Sequence, residues 1–231
     1  MAGLKIALVG AESSGKSRLT QDLAPRLAAE TGLTVAVVPE FLRHWCERAG
    51  RTPRPEEQAE IAAEQARQIE QAAEHHALVL CDTTPLMTAV YSELLFDDRS
   101  LLPPALAFQR GCALTLVTAL DLPWVADGLR DGAHVQAPVD AALRRALRGA
   151  GLSWSIVSGH GEARLDAALD AITPLLLRRP PGAPGAPDAP RRGLFSRLQA
   201  RQEALPEQAW FCQDCDVPEC EHATLRRSRA R

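Results

Sequence analysis

The chain has 231 residues, 46% of them apolar, 4% aromatic and 24% charged, and a formal net charge of −3. That is ample apolar material for one medium α/β domain with an appendage, and too little positive charge for a general nucleic-acid-binding face. No apolar run reaches the length of a membrane span, and the N-terminus reads as a strand rather than a signal peptide; the expected compartment is cytoplasmic, where six cysteines would not pair as structural disulfides.

Residues 4–9 form a short apolar run of the kind found in a buried parallel strand. It leads directly into Gly10-Ala11-Glu12-Ser13-Ser14-Gly15-Lys16-Ser17, which fits G-x-x-x-x-G-K-[ST], the phosphate-binding loop. Lys16 is one of only two lysines, against 24 arginines. A compact ammonium fits between β- and γ-phosphates where a planar guanidinium fork is too large. Helical spacing of Leu19, Leu23 and Leu27 follows, so strand, loop and helix agree. Loop amides and the helix N-terminus would cradle ATP over residues 10–18, through Arg18, with the Ser17 hydroxyl on Mg²⁺.

A second strand is expected over 34–39, ending at Glu40. Glu40 can accept the proton of an attacking hydroxyl, with Arg43 one helical turn on to orient the acceptor; the two can equally form an ordinary i,i+3 ion pair. Trp45 or His44 can stack on a base, or Trp45 can belong to the core. The spacing predicts a long helix over 55–76, with Ala59, Ala62, Ala63, Ala66, Ile69, Ala72 and Ala73 on one face. A third strand over 77–82 ends in Asp82, read as a carboxylate for Mg²⁺, as a helix N-cap for the Thr83-Thr84-Pro85 turn, or as both; either Glu40 or Asp82 can take the hydroxyl proton.

Further on, the pattern gives a helix over 86–95, a strand over 114–120, a helix over 138–148, a strand over 154–157 and a last helix over 162–177. The polar, Gly-bounded stretch from Asp121 to Gly132 suits a lid carrying Arg130, or a plain connection with a solvated arginine. Alternating strands and helices predict a phosphate-loop α/β fold, a parallel sheet with helices on both faces, over residues 1–178. A Pro/Gly/Ala-rich linker over 179–193 leads to a short helix and a Cys/His-rich tail over 194–231. There, Cys212, Cys215, Cys220 and His222 can close a tetrahedral Zn²⁺ site; free thiols or a redox pair are the alternatives. A protein partner is the expected use of such a tail, ahead of nucleic acid. Cys46, Cys81 and Cys112 are expected in the core.

Four segments together carry a family likeness: Gly-Ala-Glu-Ser-Ser-Gly-Lys-Ser-Arg-Leu from residue 10, Pro-Glu-Phe-Leu-Arg from 39, Asp-Thr-Thr from 82, and Trp-Val-Ala-Asp-Gly-Leu-Arg from 124. Over roughly residues 3 to 177 the chain resembles the kinase domain of NadR-type nicotinamide-riboside kinases and their AAA-like relatives. The resemblance implies transfer of the ATP γ-phosphate to the ribose 5′-hydroxyl of nicotinamide riboside. It places Lys16 and Ser17 on ATP and Mg²⁺, Asp82 on the metal or the acceptor, and Arg130 in the lid. The family commonly has a second acid two residues after the strand-three Asp, where this chain has Thr84. A regulatory ATP-dependent switch would use the same nucleotide-binding residues, without an acceptor pocket.

Overall fold

The structure, a computed structural model, describes residues 2–125 and 132–177. Five parallel strands make one sheet: β1 (Leu4–Val9), β2 (Val35–Val38), β3 (Leu78–Asp82), β4 (Leu114–Thr118) and β5 (Ser155–Val157), in the order β2-β3-β1-β4-β5. The helices are α1 (Lys16–Thr31), α2 (Phe41–Ala49), α3 (Gln58–His75), α4 (Pro85–Phe96), α5 (Leu102–Arg110), α6 (Gln136–Gly149) and α7 (Glu162–Leu177). One face of the sheet carries α1 and α7, which pack on each other; α3, α4 and α6 line the other. The predicted fold class is therefore the observed one for residues 4–177.

Burial follows from this layering. All five residues of β3 are buried, as a strand covered on both faces requires. Leu19, Leu23 and Leu27 face the core from α1, at 3%, 0% and 0% exposure. On the opposite face one cluster joins Val9 and Val117 to Leu86, Val90, Val139 and Leu143, and a second joins Val38, Val79 and Cys81 to Ile69 and Ala73. Cys46 and Cys81 are buried as expected, while Cys112 is half-buried.

Three local readings change. A 3-10 turn, Pro55–Glu57, precedes α3, where Pro55 fixes the first turn and the Glu57 carboxylate accepts from Arg54 N. The buried stripe of α3 is Gln58, Ile61, Ala62, Gln65, Ile69 and Ala73, so Ala59 and Ala63 lie outside it. Two glutamines join the stripe, and the Gln65 amide is buried with partners on both of its polar atoms, Pro39 O and Phe41 N. Helices α2 and α5 are short, nine residues each, and α5 begins Leu-Pro-Pro, a weak periodic signal.

The topology positions the site. The chain leaves β1 toward β2, then crosses back from β3 over β1 to β4. Ligands in open α/β sheets bind beyond the carboxyl ends of the strands at such a reversal. Among the described residues no helix is long and apolar enough to cross a membrane.

Candidate functional site

The loop after β1 is shaped by backbone that only certain residues tolerate. Gly10 has φ +154°, and a Cβ there would fall on Thr118 Oγ1, so the turn off β1 needs glycine. Gly15, at φ +78°, opens α1 in the left-handed region, and no side chain caps that helix start. Its first amides are thus the anion-binding end of a 16-residue helix. Ser14 Oγ donates to Ala11 O at 2.6 Å and lies 2.6 Å from Thr118 Oγ1, tying the loop to the end of β4. Lys16 Nζ donates to Gly10 O at 2.9 Å and Ala11 O at 2.8 Å, which folds the ammonium back over the loop.

The far wall is built by the residues after β4 and by α6 and α7. Ser13 Oγ donates to Val125 O at 2.9 Å and accepts from Val125 N at 3.2 Å, while Gln136 Nε2 donates to Glu12 O at 2.7 Å. The deepest tie is Arg164, whose side chain is 5% exposed. It donates to Ser14 O at 2.6 Å, Asp121 Oδ1 at 2.7 Å, Gly159 O at 3.0 Å and Ala119 O at 3.4 Å. Asp121 Oδ2 also accepts from Gly159 N at 2.6 Å. Burial works against the Asp121 charge, but the Gly159 N–H and the Arg164 guanidinium outweigh it and hold its carboxyl below the ordinary value. One arginine therefore bolts the phosphate loop to β4 and to the β5–α7 turn. In the sequence Asp121 opens the polar stretch that suits a lid, and nothing there marks Arg164. A lone arginine inside an amphipathic helix carries no local signal of what it reaches 150 residues away.

On the other side of the loop stand the carboxylates. Glu40 follows β2 as N-cap of α2, and its position is set by Gln65 of α3. Gln65, 2% exposed, donates to Pro39 O at 3.2 Å and accepts from Phe41 N at 2.7 Å, so it grips the chain on both sides of Glu40. The expected Glu40–Arg43 pair is present but long, at 3.9 Å. Trp45 is half-buried, its ring 4.9 Å from the Arg51 guanidinium. Asp82 ends β3 at 5% exposure. The N-cap of α4 is Thr84, so the capping alternative for Asp82 is not what the chain adopts. Thr84 is fully buried and donates to Gln109 Oε1 at 2.7 Å, and Gln109 Nε2 donates in turn to Thr115 Oγ1 at 2.8 Å. That residue braces α5 against β4.

Mg²⁺ prefers hard oxygen ligands, keeps several waters and is usually held by one or two carboxylates plus phosphates. Among the described residues no cluster of three or more His, Cys, Asp or Glu could hold a metal alone. The Oδ1 atom of Asp82, however, is buried without a hydrogen-bond partner among the described residues, and so is Thr83 Oγ1 of the next residue. Oxygen donors at the carboxyl end of β3, beside β1 and its loop, fit a cation brought in with a triphosphate. Arg18 follows Ser17 on α1, its side chain 81% exposed and paired with Asp22 at 2.8 Å. Arg130, Cys212, Cys215, Cys220 and His222 lie outside the described residues.

Comparison with known proteins agrees with this architecture. A family model described as an AAA domain matches residues 5–164. No curated protein matches the chain. A crystal structure of NadR protein in complex with NAD and AMP-PNP is similar, with a TM-score of 0.61 at 19% identity over 78% of this chain and 51% of that one. A second NadR structure, in complex with NR, gives 0.60 at 20% identity over 75% of this chain and 50% of that one. The chain thus spans about half the length of the NadR chains it matches. The thymidylate kinase of Ehrlichia chaffeensis is similar at a TM-score of 0.53 and 15% identity, over 76% of this chain and all of that one. At these identities the likeness is one of fold.

Proposed function

The chain belongs to the AAA domain family, and from that premise we propose that it is an ATP- and Mg²⁺-dependent kinase phosphorylating the ribose 5′-hydroxyl of a nucleoside, with nicotinamide riboside as the favoured acceptor. The observation that carries this reading is the row of strand ends. Glu40 after β2, Asp82 at the end of β3 and the phosphate loop after β1 stand on three neighbouring strands of one sheet edge. A triphosphate seated in the loop has carboxylates on one side, where a hydroxyl can approach in line. The NadR structures hold NAD with AMP-PNP in one case and NR in the other, which fits a triphosphate side and a riboside side.

Each residue then has a task. The amides opening α1 and the Lys16 ammonium take the β- and γ-phosphate oxygens. Ser17 and Asp82 would hold Mg²⁺, which supplies charge neutralisation between the phosphates. Glu40, steadied by Gln65, accepts the proton as the hydroxyl oxygen forms its bond to phosphorus and the β–γ bridge bond breaks toward ADP. Arg43 and Trp45 serve the acceptor, and Arg130 closes on the transferring group. The tail is read as a zinc-binding appendage, through Cys212, Cys215, Cys220 and His222, that meets a protein partner.

Glu40→Gln tests the part of this carboxylate in the transfer that distinguishes a kinase from a nucleotide-dependent switch. Transfer should fall about 10²–10⁴-fold, the usual contribution of a positioned base, with ATP affinity little changed. Unchanged transfer would remove Glu40 from the chemistry.

A further inference from the structure

Thr83 sits where a threonine ought not to be comfortable. Its φ is +74°, in the left-handed region that a β-branched residue rarely enters. Glycine would take that backbone without strain. Its hydroxyl adds a second cost, because the side chain is 3% exposed and Oγ1 has no hydrogen-bond partner among the described residues. The adjacent Asp82 Oδ1 is buried and unpartnered in the same way. Among the buried polar atoms left without a partner, these two stand on successive residues at the carboxyl end of one strand. The neighbouring Thr84 and Thr115 hydroxyls show the contrast, since both are engaged by Gln109.

The place is as informative as the cost. Thr83 N donates to Leu8 O at 3.1 Å, so the residue is fastened to β1 two residues before the phosphate loop. In the sheet register Leu8 is level with Asp82 and Val38 with Cys81. Thr83 thus follows the end of the middle strand of three, with the loop after β1 on one side and Glu40 after β2 on the other. With Asp82 holding the cation, the metal–phosphate end of a triphosphate in the loop comes to the carboxyl end of β3, next to Thr83.

We propose that Thr83 is a ligand-binding residue whose hydroxyl hydrogen-bonds the metal–phosphate end of the bound nucleoside triphosphate, and that its strained backbone is kept for this purpose. The inference rests on the phosphate-loop part of the function proposed above and not on the identity of the acceptor. A threonine that served only packing would lose stability on truncation and leave ligand binding alone. A threonine retained for a ligand does the reverse.

The test compares wild type, Thr83→Gly and Thr83→Ser by thermal denaturation, alone and with Mg²⁺ plus a non-hydrolysable ATP analogue. Without ligand, Thr83→Gly should melt higher, by about 2–4 °C for a chain of this size, because strain and an unpaired buried hydroxyl are both removed. Its ligand-induced rise in Tm should shrink, with analogue affinity at least about tenfold weaker, the loss expected for one charge-assisted hydrogen bond. Thr83→Ser keeps the hydroxyl and should retain most of the wild-type ligand shift. A glycine variant that melts lower and binds the analogue as wild type does overturns the proposal, as does a serine variant that behaves like glycine. If the wild type binds the analogue but phosphorylates no nucleoside, the kinase reading fails while the Thr83 result stands on its own. No shift in the wild type defeats both.

Discussion

Arg164 is the residue through which loop geometry can be perturbed without touching a phosphate contact. Arg164→Met keeps the volume and the helical propensity but removes every donor. Ser14 O and Gly159 O lose their partner, and Asp121 is left with Gly159 N alone. Breaking a buried pair from one side costs about 3–5 kcal/mol. Asp121 is 29% exposed and keeps one backbone donor, so water can take up part of the loss. That favours the lower end, about 3 kcal/mol, or a fall in Tm of about 6–12 °C. Arg164→Lys should recover part of the stability and less of the nucleotide affinity, because one ammonium cannot reproduce the fork that reaches the loop and β4 together. The acid limb supplies an independent check. The Asp121 carboxyl is held below its ordinary value, so its contribution is complete above about pH 5 and is lost as the pH falls through the unfolded and then the folded value. In Arg164→Met that acid-labile component should shrink. Chemical denaturation of both variants and wild type from pH 3 to 7, with analogue binding at pH 7, reads all of this. A methionine variant within 2 °C of wild type (about 1 kcal/mol or less) and with unchanged affinity would refute the role of Arg164 as the bolt of the loop.

Gln65→Leu should lower kcat for transfer while leaving the KM for ATP near wild type, since it frees the chain around Glu40 and not the phosphate loop; the stability cost of unpairing Phe41 N and Pro39 O is about 1–3 kcal/mol. Steady-state kinetics with ATP and acceptor varied separately would show it, and a pure KM effect on ATP would contradict it. For the tail, elemental analysis should find one zinc per chain in wild type and less in Cys212→Ser; zinc-free wild type, purified without chelator, rejects the site.

How much of this was legible in the sequence depended on range. Elements with local signatures read well: β1 and its loop, α7 over 162–177, and the strand ends at Glu40 and Asp82 all follow from runs of apolar residues and the glycines that interrupt them. The loop's function was readable because its chemistry is contiguous. The supports were not. Gln65 reaches the chain 24 residues away and Arg164 reaches Ser14 across 150, and neither leaves a mark on its own helix beyond a polar residue on a buried stripe. A rule that counts only apolar positions passes over both. Thr83 was hidden for another reason, because Asp-Thr-Thr spells out neither the left-handed turn at its middle residue nor which of the two hydroxyls lacks a partner. Thr84, which the family likeness made conspicuous, is a brace for Gln109.

The central claim is transfer of a phosphoryl group to a riboside hydroxyl. Purified protein incubated with ATP, Mg²⁺ and nicotinamide riboside, followed by mass spectrometry with phosphorus NMR, should give one 5′-monophosphate of the riboside for each ADP formed. ADP and free phosphate in equal amounts, with no phosphorylated product from this or any other nucleoside offered, would contradict it.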